Sequence, residues 1–248
     1  MSLNKEKFKD KFSEDWWMKI ESLFGNGTIE EIYKHLKRRK REGKVIAPDS
    51  ENTFRCFKET PLNNLKVVLI GMSPYHTIRN NKIVADGLLM SCSNHEKEEY
   101  LAPSLSNFYD ALEEEFYNGL CVPCERPSDV KYLCEQGVLM FNASLTTEID
   151  VAGAHLKLWK PFTQYVIEKI IYDTGVPVVF LGKDAAEFDY LLPPWYPKFV
   201  LTHPAAASYR NIKWNSMGVF KEINSILKQN NGEEINWLIP SAVEQYPY

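Results

Sequence analysis

Apolar and polar positions fall into blocks along this chain that separate strands from helices. Lys66 to His76 reads K-V-V-L-I-G-M-S-P-Y-H, an unbroken apolar run that stops at a glycine and hands over to a polar loop stiffened by proline. The same design recurs at Gly137 to Asn142 (G-V-L-M-F-N), Val178 to Gly182 (V-V-F-L-G) and Phe199 to Pro204 (F-V-L-T-H-P). Such runs suit strands buried on both faces of a parallel sheet. Between them the spacing turns helical. Phe12, Trp16, Ile20 and Leu23 within Phe8 to Phe24, then Ile29 to Leu36, predict two opening helices, the second with a capping box from Thr28 and Glu31. Further helices are expected from Ser104 through Asn118 with a stop at Gly119, and over Ser128 to Glu135, Lys160 to Thr174, Asp184 to Tyr190 and Asn215 to Gln229. Strands alternating with helices predict an α/β fold, a single three-layer α/β/α domain over residues 1–248 with a central four-stranded parallel sheet. Four strand tips then face one crevice, where open α/β sheets build their sites.

Composition changes this picture little, because 44% hydrophobic and 25% charged residues are ordinary for a globular chain. No apolar run approaches the roughly 20 residues of a membrane span. The opening M-S-L-N-K-E-K-F-K-D is too charged for a signal peptide. The expected location is cytoplasmic, or a nuclear or host-cell compartment for a eukaryotic or viral chain. A net charge of −4 argues against coating nucleic acid by bulk electrostatics. It leaves open a local positive face, or phosphate binding by helix N-termini. The densest basic run, Lys34 to Arg41, reads either as a solvated helix end favoured by the helix dipole or as a polyanion contact. Cys121 and Cys124 carry a metal-type spacing, but only Cys134 lies nearby, with no local His. Free thiols and no metal are therefore expected.

Taken in order, the strand tips resemble the uracil-DNA glycosylase family, and most its best-known branch. That branch carries G-Q-D-P-Y-H, G-L-A-F-S, P-P-S-L, L-L-N-T-x-L-T, W-G-x-x-A and H-P-S-P-L-S. The matching segments are Gly71 to His76, Gly87 to Ser91 (G-L-L-M-S), Ala102 to Leu105 (A-P-S-L), Met140 to Thr146 (M-F-N-A-S-L-T), Leu181 to Ala185 (L-G-K-D-A) and His203 to Ser208 (H-P-A-A-A-S). Arg41 to Phe57 and Ile235-Asn236-Trp237 are similar to the family's flanking segments. The resemblance implies the family's α/β fold, a monomer without cofactor or metal, and DNA as partner, single- or double-stranded, carrying uracil or a modified pyrimidine.

Cleaving an N-glycosidic bond needs a polar match to the base edge, a donor to the departing anion, and a group that aligns or deprotonates water. The base must also leave the stack. By resemblance Asn142 reads the base edge, although an Asn at a strand exit also caps turns. His203 matches the family's donor to the uracil carbonyl, best served by a neutral imidazole. Tyr75 matches the residue that packs on the uracil C5 edge and excludes thymine. Ser104, Lys183, Ala207, Ser208 and Arg210 fall on DNA-binding positions.

Four departures stand in the same pocket. Ser73 replaces the water-activating Asp, and a hydroxyl is no general base at neutral pH. Met72 replaces Gln, Met90 replaces the stacking Phe, and Ala207 stands near the Leu that fills the gap left by the flipped base. The loop between His76 and Gly87 is longer than the family's and offers Asp86 as a replacement carboxylate. The expected function is excision of uracil or a related pyrimidine with reduced or altered activity. The rivals are a catalytically inactive homologue that binds DNA or a protein partner, and an enzyme acting on a free nucleotide or modified nucleoside.

Overall fold

Four apolar runs form one sheet, in a computed structural model that describes residues 4–95, 100–118, 120, 122–210, 212–230 and 232–241. The strands are β1 (Val67–Gly71), β2 (Val138–Asn142), β3 (Val178–Leu181) and β4 (Lys198–Leu201). They lie in the order β2-β1-β3-β4, all parallel, with Gly71 opposite Asn142, Val68 opposite Val178 and Leu181 opposite Leu201. Every side chain of β1, β2 and β3 is buried, which is why these runs show no polar alternation. The edge strand β4 differs, with Val200 exposed. Connections leave β1 and β3 toward opposite sides, so the switch point of the sheet lies between their carboxyl ends.

Helices cover both faces: α1 (Glu14–Ile20), α2 (Thr28–Arg41), α3 (Pro103–Tyr117), α4 (Leu156–Val166), α5 (Ala205–Arg210) and α6 (Val219–Gln229). One aromatic cluster joins Trp16 of α1 and Phe162 of α4, through Phe57, to Phe141 of β2. A second joins Phe108 of α3 to Phe220 of α6 and then Trp237. No helix among the described residues is long and apolar enough to cross a membrane.

Several predicted boundaries move for local reasons. The first helix breaks before Glu14 because Ser13 donates its N–H to the Phe57 carbonyl (3.3 Å). The expected capping box does not form: Gly27, at φ +97°, caps α2, and the Thr28 N–H goes to Asn26 Oδ1 at 3.0 Å. Ser104 does not open α3, which starts at Pro103, whose fixed φ suits the first helical position. Gly119, expected to stop it, lies outside the described residues, and Asn118 caps it at φ +52°. Helix α4 begins earlier than predicted, carries Pro161 in its interior, and runs on through a wide π-turn at Ile167–Ile171. Asn215 belongs to a turn before α6, because its Oδ1 takes the Met217 N–H at 2.7 Å.

The basic end of α2 is partly committed to the fold. Arg39 grips Glu148 through Nε (2.5 Å) and Nη2 (2.9 Å), and these bonds hold the carboxyl below its ordinary range. Among the described residues no cluster of three or more His, Cys, Asp or Glu side chains has the arrangement to hold a metal. Cys121 lies outside them.

Candidate active site at the strand tips

Pairing continues beyond the strands and joins the β1 and β2 exits. Ala143 donates its N–H to the Gly71 carbonyl (2.8 Å), and Ser144 to that of Met72 (2.9 Å). Asn142, 4% exposed, stands at the end of this ladder with its amide against Gly71. A Cβ on Gly71 would sit 3.1 Å from Asn142 Oδ1 and 2.3 Å from Leu89 Cδ1, so the glycine makes room for the amide. The side chain caps no turn, and Oδ1 is buried with no partner among the described residues. Buried acceptors are rarely left this way, so Asn142 Oδ1 calls for an explanation.

His203 follows β4 on the other side of the switch point. Its Nδ1 accepts the Ala205 N–H at 3.1 Å. An amide can only donate, so Nδ1 carries no proton and the neutral ring holds its proton on Nε2. Burial lowers the imidazole to about 4, which keeps it neutral at physiological pH. Gly182, at φ +90°, lets the β3 exit approach: a Cβ there would come within 3.0 Å of His203 Cβ.

Between these tips lies the loop from Met72 to His76. The Ser73 hydroxyl accepts the Gly153 N–H at 3.2 Å, tying this loop to the segment before α4, and Met72 packs over Gly153. The Tyr75 phenol donates to the Met90 carbonyl at 3.0 Å and meets Ser104 Oγ at 2.6 Å. Burial holds that phenol well above its ordinary range, so it stays protonated. Met90 itself is buried in a left-handed conformation at φ +61°.

Asp86 is turned away from solvent, at 1% exposure. Its oxygens accept from Ser91 Oγ (2.5 Å), the Ser93 N–H (2.8 Å) and the Leu88 N–H (3.1 Å), and Arg55 Nη1 stands at 3.0 Å. A carboxylate engaged by these donors holds its own loop together. It is not presented to water as the replacement base that sequence suggested.

No protein-family model matches the chain. A uracil-DNA glycosylase of Pseudomonas paraeruginosa is 33% identical over 235 residues, which cover 93% of this chain and 96% of that protein. One from Caenorhabditis elegans is also 33% identical, over 90% of this chain and 77% of its own length. The chain belongs to the uracil-DNA glycosylase family. In fold it is similar to the crystal structure of mimivirus uracil-DNA glycosylase, with a TM-score of 0.78 at 21% identity over 95% of this chain and 90% of that one. Family members are DNA N-glycosylases, hydrolases of N-glycosyl bonds.

Set on this glycosylase frame, the positions expected to face DNA divide. Lys183, first in a short helix after β3, and Ser208 are exposed. Ser104, 2% exposed, spends its hydroxyl on Tyr75 and is not free for a phosphate. Ala207 is also corrected: at 3% exposure it is buried with the hydrophobic core rather than presented to DNA. Arg210 closes α5, and its side chain lies outside the described residues. Sequence reasoning missed Asn107, whose Nδ2 donates to the Pro204 carbonyl and Ser208 Oγ, both at 2.8 Å. The signal was present, since Asn107 stands three residues from Ser104 on the same face of α3.

Proposed function

We propose that this chain hydrolyses the N-glycosidic bond of uracil in DNA, acting as a single-domain monomer without a cofactor, at a rate limited by the missing water-activating carboxylate. Two observations at the strand exits carry the reading: Asn142 Oδ1, at the end of β2, is buried without a partner among the described residues, and His203, after β4, is held neutral by the Ala205 N–H and by burial. Uracil offers an N–H between two carbonyls. Asn142 Oδ1 accepts that N–H while its Nδ2 donates to the neighbouring oxygen. His203 Nε2–H donates to the other carbonyl, where negative charge gathers as the bond breaks.

The electron pair of the C1′–N1 bond leaves with the base, the sugar becomes oxocarbenium-like, and water adds its oxygen to C1′ and gives its proton to solvent. A preorganised donor to a developing anion supplies the larger share of such a rate. Ser73 can hold the water but not deprotonate it, and Asp86 serves the fold. DNA approaches over Lys183 and Ser208.

Strand cleavage at uracil in a single-stranded oligonucleotide after alkali tests this. The natural protein is expected to cut slowly, and Asn142→Ala to lose about a hundredfold with its melting temperature preserved. Full activity in that variant would place the base pocket elsewhere. Ser73 also favours a second reading, a silent homologue that binds DNA or a protein partner. DNA binding without cutting by either the natural protein or Ser73→Asp would select it.

A further inference from the structure

Around Tyr75 the hydroxyls form a directed chain that the excision chemistry does not itself require. A phenol has one proton, and Tyr75 gives it to the Met90 carbonyl at 3.0 Å. The 2.6 Å contact with Ser104 is then donated by the serine. Ser104 is 2% exposed in the first turn of α3, so its hydroxyl has nowhere better to turn. At the other end, Met90 sits at φ +61°, a conformation unfavourable for any residue with a Cβ and held only when its surroundings insist. The neighbouring Leu89 N–H donates to the Met140 carbonyl at 3.0 Å, fixing the turn to β2. The turn that carries Met90 is thus clamped from β2 on one side and by Tyr75 on the other, and Ser104 fixes Tyr75.

We propose that Ser104 is a positioning residue for the base pocket: through Tyr75 it sets the wall that meets the 5-position of a pyrimidine, and so the selectivity against 5-substituted bases. This deepens the excision reading above and rests on it. Because Met90 is a flexible thioether where a rigid ring would otherwise brace the base, the tether on Tyr75 carries more of the discrimination here. The same bond removes Ser104 from the DNA surface.

Single-turnover excision should be measured on single-stranded oligonucleotides carrying uracil, 5-fluorouracil, 5-bromouracil or thymine, for the natural protein, Ser104→Ala, Tyr75→Phe and the double variant. Loss of one hydrogen bond is expected to raise the rate on 5-bromouracil relative to uracil about fivefold in Ser104→Ala. Tyr75→Phe should do the same, and the double variant should match Tyr75→Phe alone, because the two residues act as one unit. Uracil cutting that falls evenly on all four bases in Ser104→Ala, and adds to the effect of Tyr75→Phe, overturns the proposal and returns Ser104 to the phosphate backbone. Unchanged selectivity in Ser104→Ala overturns it as well. Absence of cutting on every substrate by the natural protein is a different outcome, which overturns the excision reading and this proposal with it.

Discussion

At His203 burial and the Ala205 N–H act on the same ring, one disfavouring the charge and the other occupying the nitrogen that would accept a second proton. The unfolded chain takes up that proton near 6.5 and the folded protein only near 4. As pH falls the unfolded state therefore protonates first, so this contribution to stability is whole above 6.5 and is lost progressively toward 4, by at most about 1.4 kcal/mol per pH unit. His155, also lowered by burial, acts in the same sense. Melting curves between pH 7 and 4.5 should show a shallower decline in His203→Ala than in the natural protein. At Ser73 the expected change is a gain. An Asp there would meet the same Gly153 N–H, which favours the ionised form, and a placed base contributes about 10²–10⁴-fold. Single-turnover rates on uracil DNA should rise at least tenfold in Ser73→Asp, and an unchanged rate would show that water is positioned elsewhere.

Elements bring these residues together through close approaches at strand exits. Gly182→Ala would force a Cβ toward His203 at φ +90°, so it should lower stability by roughly 1–2 kcal/mol and activity with it, read by urea denaturation beside the cleavage assay. Asp86→Asn breaks a buried ion pair and should cost roughly 3 kcal/mol while leaving turnover per folded molecule near normal, the opposite of what a catalytic base would show. The four strands were legible because a parallel strand buried on both faces leaves an unmistakable apolar run, and the candidate site is read where such runs end. What was not legible turns on direction. Ser104 reads as a helix cap and Ala207 as a surface position until the fold shows that one meets Tyr75 and the other is buried. Asp86 looks like a spare carboxylate until Arg55, distant in sequence, is found beside it. The Thr28 capping box fits the pattern, yet Asn26 and Gly27 offered the backbone a competing turn.

Over the whole molecule the charge is −4, and Arg39, within the densest basic run, is held by Glu148 and Glu42. Carboxylates outnumber Lys and Arg, 33 to 29, so bulk attraction to phosphates is weak, and no side chain at position 207 reaches out to hold a base gap open. DNA binding is expected to be weak and to fall steeply with salt, as titrations at several ionic strengths would show; tight binding indifferent to salt would contradict it. The amide of Asn142 has a consequence for stability as a whole. A buried acceptor without a partner costs about 1–3 kcal/mol, so the protein is less stable than the same fold with an apolar side chain at that point. Asn142→Leu should melt a few degrees higher than the natural protein while losing recognition. Free uracil, by supplying the N–H that Oδ1 lacks, should raise the melting temperature of the natural protein in proportion to the logarithm of its concentration and leave that variant unmoved, so that heat resistance becomes a direct report of base recognition.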